Sequence, residues 1–280
     1  METVVWRGGA VSGRVVDLGG GWFNGGKLTE LVIESVETTG GWDRPEGVVI
    51  KNGRIRGCIR IMGMGRNGEA RRVRKSSVRA GHTVRAQAAA PSGIRLEDLH
   101  IEASRAIPVY VAPGVTETAI EGCTFTGWSV GPAIYLDAES ARNVINRNRF
   151  ELRCFREVIA VDGSAGNRIE GNQFSRIRHG GVYLYRNCGE GGAVRHQSPQ
   201  DNVIFGNTFH SESMALGARG IWMGSRNGRR SYCGCDSGHP FGSSVDDRDF
   251  ADHNTVRGNV FHPDFPGAVM DEGSGNVVAP

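Results

Sequence analysis

No stretch of this 280-residue chain approaches the roughly 18 consecutive apolar residues that a membrane span needs, and Met1 to Gly9 lacks the apolar core of a secretory leader. A leader removed on export would leave the same start, so secretion stays open. Cysteine is sparse: six in a chain this long do not make a disulfide framework, since cysteine-dense scaffolds fit that many within about 100 residues. The glycine clusters Gly19-Gly20-Gly21 and Gly189 to Gly192 lack the Gly-Lys-Ser/Thr ending and the following helix of a phosphate loop, which excludes nucleotide binding of that kind. Net charge is only +3 and the signs are mixed, so no basic stripe marks the chain for nucleic acid. The short run Arg71, Arg72, Arg74 and Lys75 reads as a solvated turn.

What is present is glycine, 42 residues of it, and a repeat. The octet Asn-Val-Ile-Asn-Arg-Asn-Arg-Phe at 143–150 returns at 167–174, 202–209 and 254–261, with a truncated Asn-Val-Val at 276–278. Thr118 to Phe125 follows the same pattern with Cys123 at the Asn position; Leu96, Leu99 and Ile101 fit it, and Ile55-Arg56-Gly57-Cys58 echoes Ile120 to Cys123. A second motif precedes each copy: Val109-Tyr110-Val111, Ile134-Tyr135-Leu136, Ile159-Ala160-Val161, Val182-Tyr183-Leu184, Ile221-Trp222-Met223 and Ala268-Val269-Met270. Its alternation suits a strand with one buried face. Ile120 to Ile145 is 25 residues and Ile145 to Ile169 is 24, one turn of a wide coil. A coil cannot bury its inner face alone, so coils must stack about 4.8 Å apart with like residues above like. The expectation is an inward ladder of Asn148, Asn172, Asn207 and Asn259, and a stack of Phe125, Phe150, Phe174, Phe209 and Phe261.

On these motifs the chain resembles the right-handed parallel β-helix proteins of the pectin-lyase-like superfamily, from about residue 45 to the end. The expected fold is therefore an all-β solenoid in one domain: residues 1–44 supply irregular first coils and a cap, and 45–280 the β-helix. The resemblance includes polysaccharide lyases, hydrolases, uronate epimerases, tailspikes and periplasmic accessory proteins, so activity must be read from the site.

Two coils depart from the basic length. Ile169 to Ile204 spans 35 residues and Ile204 to Val256 spans 52, which places insertions at about 187–200 and 225–252 on one side of consecutive coils, where they should touch. Alternation predicts outward columns of Tyr135, Ala160, Tyr183 and Trp222, then Asp137, Asp162, Tyr185 and Gly224. Aromatic faces beside carboxylates suit a sugar chain, so Tyr135, Tyr183, Trp222, Asp137, Asp162 and Glu190 are the candidate substrate contacts and a polysaccharide the expected partner. The leading expectation is lyase or C5-epimerase chemistry on a uronic-acid polymer, with Tyr185 or His196 as base or acid and Arg186 and Arg195 as carboxylate clamps. The resemblance implies Ca²⁺ as a candidate cofactor, with Asp137 and Asp162 as its oxygen ligands. Two alternatives stand beside it: a glycoside hydrolase using Asp137 and Asp162, or a β-helix that binds sugar without cleaving it. Cys58 and Cys123 read as buried packing thiols, and Cys188, Cys233 and Cys235 as disulfide candidates joining the insertions, or zinc ligands with His239. A secreted or periplasmic protein is expected, as a monomer or a homo-oligomer such as a trimer.

Overall fold

A computed structural model describes all residues except 263, 264 and 266. The chain winds as a parallel β-helix whose coils build three stacked parallel sheets. The first, here the isoleucine sheet, sets Leu96, Ile120, Ile145, Ile169, Ile204 and Val256 one above another. The second, the phenylalanine sheet, does the same for Ile101, Phe125, Phe150, Phe174, Phe209 and Phe261. The third, the tyrosine sheet, runs through Val109–Val111, Ile134–Leu136, Ile159–Asp162, Val182–Tyr185, Ile221–Met223 and Val269–Asp271. These are the registers that the repeat dictates.

The aromatic column forms as expected. Successive phenylalanine rings from Phe125 to Phe261 stack with centroids 4.9, 4.9, 4.6 and 4.8 Å apart, and the four from Phe125 to Phe209 are fully buried. Between the isoleucine and phenylalanine sheets the chain must bend, and the residue before the ladder position, Cys123 or an asparagine, adopts a left-handed conformation: Gly122, Gly171, Gly206 and Gly258 have φ of 65, 62, 64 and 61°. Glycine has no Cβ to resist this, which explains the recurrent Gly-Asn pair; Asn52, Asp98 and Arg147, at φ 53, 51 and 53°, hold the same bend in other coils without glycine. The following asparagine points inward. Asn148 donates its side-chain N–H to Asn172 Oδ1 at 3.0 Å and to the Ile120 carbonyl at 2.8 Å, while Asn172 Oδ1 also accepts the Asn148 backbone N–H. Both donors and the acceptor of each buried amide are thereby used, and the pattern continues through Asn207 to Asn259. A second ladder, not anticipated from the sequence, joins the leading asparagines of the octets: Asn143, Asn167, Asn202 and Asn254.

Within residues 1–44, Glu2–Arg7 and Thr29–Glu34 pair in parallel, the latter with Gly57 to Met62 of the next coil. Trp6 is covered by the Arg14 guanidinium at 4.6 Å and by the edge of Phe23. Two expectations need correction. The Ile55-Cys58 echo belongs to another register: Ile55 stacks on Ile101, and Cys58 lies in the tyrosine sheet beside Glu30, not in the ladder. Finally, the basic run at 71–75 is helical: α1 (Arg71–Ser77) and α2 (His82–Ala89) form a further insertion, the first of three in chain order, between the strands Val49–Met62 and Arg95–Arg105.

Candidate functional site

The three insertions leave the coil beyond the end of the tyrosine-sheet strands, and they meet there as a roof. Cys188 and Cys233 form a disulfide between the second and third insertions, and the Arg195 N–H donates to Ser243 Oγ at 2.8 Å. The helical insertion joins them: Val194 N–H donates to Ser77 Oγ at 3.1 Å and Arg74 Nη1 to the Gly191 carbonyl at 3.1 Å. Asp249 ties the base of the roof, accepting backbone N–H groups from Arg186, Arg226 and Asn227 at 2.9, 2.8 and 2.8 Å.

Under the roof, outward residues of the tyrosine sheet become buried. Tyr110 and Tyr135 stack at 4.9 Å, and their hydroxyls donate to Asp137 Oδ2 and Asp162 Oδ2, each at 2.6 Å. Asp162 also accepts the Asn187 backbone and side-chain N–H at 2.8 and 2.7 Å; Asp137 accepts the N–H groups of Gly68 and Ala138 at 2.9 and 2.8 Å. The buried Arg195 guanidinium lies 3.8 Å from Asp137 and 3.6 Å from Glu190. Burial opposes its charge, but Asp137 and Asp162 outweigh that and hold it protonated. Burial raises the Asp137 carboxyl to about 6, Arg195 acting against the rise. The approach of Gly68 requires glycine, because a Cβ there would stand 1.9 Å from Arg195 Nη1.

Above this layer a cleft of about 420 Å³ opens, lined by Tyr110, Tyr135, Arg156, Asn187, Glu190, Arg226, Arg230 and Tyr232. Arg156 comes from the bend between the phenylalanine and tyrosine sheets, on the side opposite the roof. Tyr185 fixes two of the three guanidiniums: Arg156 Nη2 donates to its hydroxyl at 3.0 Å, and Arg226 lies 3.6 Å from its ring centroid. The same hydroxyl donates to Glu157 at 2.9 Å, and burial raises the Tyr185 pKa. Tyr232, next to the disulfide, donates to Asn187 Oδ1 at 3.0 Å and accepts from Arg226 Nη1 at 3.3 Å. Burial, and then Asp162, push the Glu190 carboxyl up to about 7, with Arg195 opposing. A half-buried carboxyl poised near neutrality beside fixed cations can exchange a proton with a bound molecule.

The proposed site residues divide. Tyr135 and Glu190 line the cleft, Tyr185 and Arg195 brace it from beneath, and Asp137 and Asp162 are buried acceptors under it. Arg186 and His196 do not converge on it. Arg186 turns into the third insertion, donating to the carbonyls of Asp246 and Arg248 at 2.5 and 2.6 Å and lying over Phe250. His196 Nε2 sits 2.7 Å from the Ser77 carbonyl, and its ring packs on His82 and Phe241. Tyr183 and Trp222 hold the expected column but lie outside the cleft: the Tyr183 hydroxyl accepts from Arg219 N–H, and Trp222 Nε1 donates to Glu272. Calcium does not fit Asp137 and Asp162, since amide N–H and phenol O–H donors already occupy these buried oxygens and would face the ion. The same saturation and burial remove them as a hydrolase pair. Among the cysteines, Cys188 and Cys233 are consumed by the disulfide and Cys235 is free and exposed, so the zinc alternative loses its ligands.

Sequence reasoning missed Tyr110, Arg156, Asn187, Arg226, Arg230 and Tyr232. Tyr110 stood one coil before Tyr135 in the same motif and was recoverable from the column; the others depend on how the roof and bend fold.

Among solved structures, the chain is similar to the Streptococcus pneumoniae surface protein and adhesin PfbA, at 12% identity and a TM-score of 0.40, over 81% of this chain and 58% of that one. The chain thus spans little more than half of the adhesin's length. It is also similar to an alginate lyase from Paenibacillus sp. str. FPU-7, at 11% identity and a TM-score of 0.39, over 98% of this chain and 92% of that one. The periplasmic alginate epimerase AlgG aligns at 13% identity and a TM-score of 0.30, over 99% of this chain and 73% of that one. No curated protein matches in sequence. Residues 64–227, more than half of the chain, match the family described as right handed beta helix region, and the chain belongs to that family.

Proposed function

We propose that the cleft binds an acidic polysaccharide and promotes removal of the proton next to the carboxylate of a uronic acid unit. The observation that carries this reading is the lining: three guanidiniums, from Arg156, Arg226 and Arg230, surround one carboxyl, Glu190, over a floor of tyrosines. Guanidiniums match a carboxylate in shape and charge, and tyrosine rings offer apolar faces to sugar C–H groups. Glu190 takes the C5 proton; the electron pair moves onto the sugar carboxylate, where Arg226 and Arg156 stabilise the added charge. Two outcomes then balance. Either the C4–O4 bond breaks as Tyr232 gives its proton to O4, leaving a C4=C5 double bond, or C5 regains a proton from the opposite face. The disulfide agrees with an oxidising compartment, and no helix among the described residues is long and apolar enough to cross a membrane.

A purely binding role is the second reading, favoured by one observation: the hydroxyls of Tyr110, Tyr135 and Tyr185 are all donated to carboxylates and give the floor no free proton donor. Incubation with polyuronates in deuterated water separates the two. Catalysis gives either unsaturated product, seen by ultraviolet absorbance, or deuterium at C5, seen by NMR; Glu190→Gln should cut either rate by about 10²–10⁴ while retaining binding. Binding without either product would leave the second reading.

A further inference from the structure

The bend that contributes Arg156 to the cleft has another side. Arg153 and Phe155 face away from the cleft and, with the bends of the next two coils, enclose a hollow of about 280 Å³ bordered also by Arg176, Arg178, His179 and Glu212. It is separated from the cleft by the ridge on which Phe155 and Arg156 point to opposite sides.

Two features of this hollow are unexplained by packing. The first is aromatic exposure: Phe155 is 63% exposed and Trp128, in the coil before, 42%. Trp128 pairs in register with Arg153, which sets its ring edge-on to Phe155 at 6.2 Å between centroids. The second is charge. Arg176 is held by Glu212 through contacts of 3.0 and 3.2 Å, and Arg153 lies 3.7 Å from the same carboxylate. Three guanidiniums against one carboxylate leave an excess of positive charge, and Arg178 is exposed and makes no ion pair among the described residues. Glu212 fixes its two partners in place instead of cancelling the site.

We propose that this hollow is a second binding site, for one carboxylated sugar unit of an acidic polysaccharide. The sugar ring lies against Phe155 and Trp128, and its carboxylate is taken by Arg178 with Arg153. Its one carboxylate, Glu212, is engaged by Arg176 and Arg153, and the role assigned to the hollow, with His179 on its border, is to anchor polymer. It stands apart from the cleft chemistry and would hold a chain whether or not the cleft reacts.

The test uses the full chain and an oligogalacturonate hexasaccharide, with cellohexaose as the neutral control, by calorimetry. The variants are Arg178→Glu and Phe155→Ala for the hollow and Arg230→Glu for the cleft; all three side chains are exposed, so folding should be kept, as circular dichroism would check. The expectation is that either hollow variant weakens hexauronate binding by about tenfold, alone and again in the Arg230→Glu background, and that cellohexaose binds far more weakly throughout. If only Arg230→Glu weakens binding, the hollow is not a site and the cleft reading stands. If only the hollow variants do so, this proposal stands and the cleft reading falls. Unchanged affinity in every variant, or no hexauronate binding by the unmodified protein, overturns both.

Discussion

The stacked coils and the roof over one end of the tyrosine sheet are built by opposite rules. In the coils the ladder side chains meet copies of themselves one turn away, so Asn148 bonds Asn172 and Phe150 stacks on Phe174. In the roof nothing repeats. Arg195 reaches Asp137 and Glu190, Asn187 bonds Asp162, and Tyr232 bonds Asn187, each a pairing of unlike groups from distant segments. A repeated contact ties each coil to its neighbours, so the scaffold responds as one body; a unique contact makes the roof specific and easier to open.

The sharpest way to break this contrast is at the centre of the column. Phe174 is fully buried with a ring on either side at 4.9 and 4.6 Å, so Phe174→Ala removes two stacking contacts and leaves a cavity in a continuous core. A loss of about 3–5 kcal/mol is expected in denaturant unfolding. The loss should affect every coil, because neighbouring coils share their interfaces. Hydrogen exchange that rises only near residue 174 would show the coils to be less coupled than their stacking implies.

Reduction of Cys188–Cys233 probes the other region. The bond closes a segment with a sequence separation of 45, for which a contribution of about 2–4 kcal/mol is ordinary. The cysteines adjoin Asn187 and Tyr232, two walls of the cleft, so the effect should be local: faster exchange at 187–197 and 226–249 with the coil amides unchanged. Weaker oligouronate binding should accompany it. A uniform rise in exchange across the coils would mean that the roof and the scaffold unfold as one unit.

The same contrast explains what the sequence made legible. A rung is visible as a recurring letter, so the Ile, Asn and Phe registers, including the 35- and 52-residue steps from Ile169 to Ile204 and on to Val256, follow from the spacing alone. The helical insertion is not legible in that way. Neither α1 nor α2 has a side-chain N-cap, α2 starts from Gly81 in a left-handed conformation, and both are at most eight residues long, so no start signal or sustained periodicity marks them. Missing them had a consequence for the site. The sequence groups His196 with Tyr185, Arg186 and Arg195 because they share one coil and its insertion, yet the α1 carbonyl of Ser77 and the α2 residue His82 draw it under the helices. Asp137 and Asp162 looked like exposed carboxylates after strands because the layer that buries them comes from residues 68 and 187. The disulfide expectation survived because two loops predicted to touch carried the cysteines, a consequence of coil register alone.

The smallest expected effect tests the cleft without disturbing either region. Glu190 is half-buried, and its carboxyl is raised to about 7 by burial and by Asp162. Below that pH it is neutral and no longer offsets Arg226 and Arg230, while Arg156 stays paired with Glu157 at 2.7 Å; above it, its negative charge repels a uronate carboxylate, whose own pKa of about 3.5 keeps it ionised throughout. Affinity of the unmodified protein for an oligouronate should therefore rise by a few-fold from pH 8 to pH 6, with uptake of a fraction of a proton on binding at neutral pH. Glu190→Gln removes the titrating group and keeps its shape, so its affinity should be flat over that range and equal at pH 8 to that of the unmodified protein at pH 6. Calorimetry in two buffers of different ionisation enthalpy measures affinity and proton uptake together. Should the variant keep the slope, the proton would belong to another group, and the deeper Asp137, raised to about 6 beneath the same floor, would be the next to substitute.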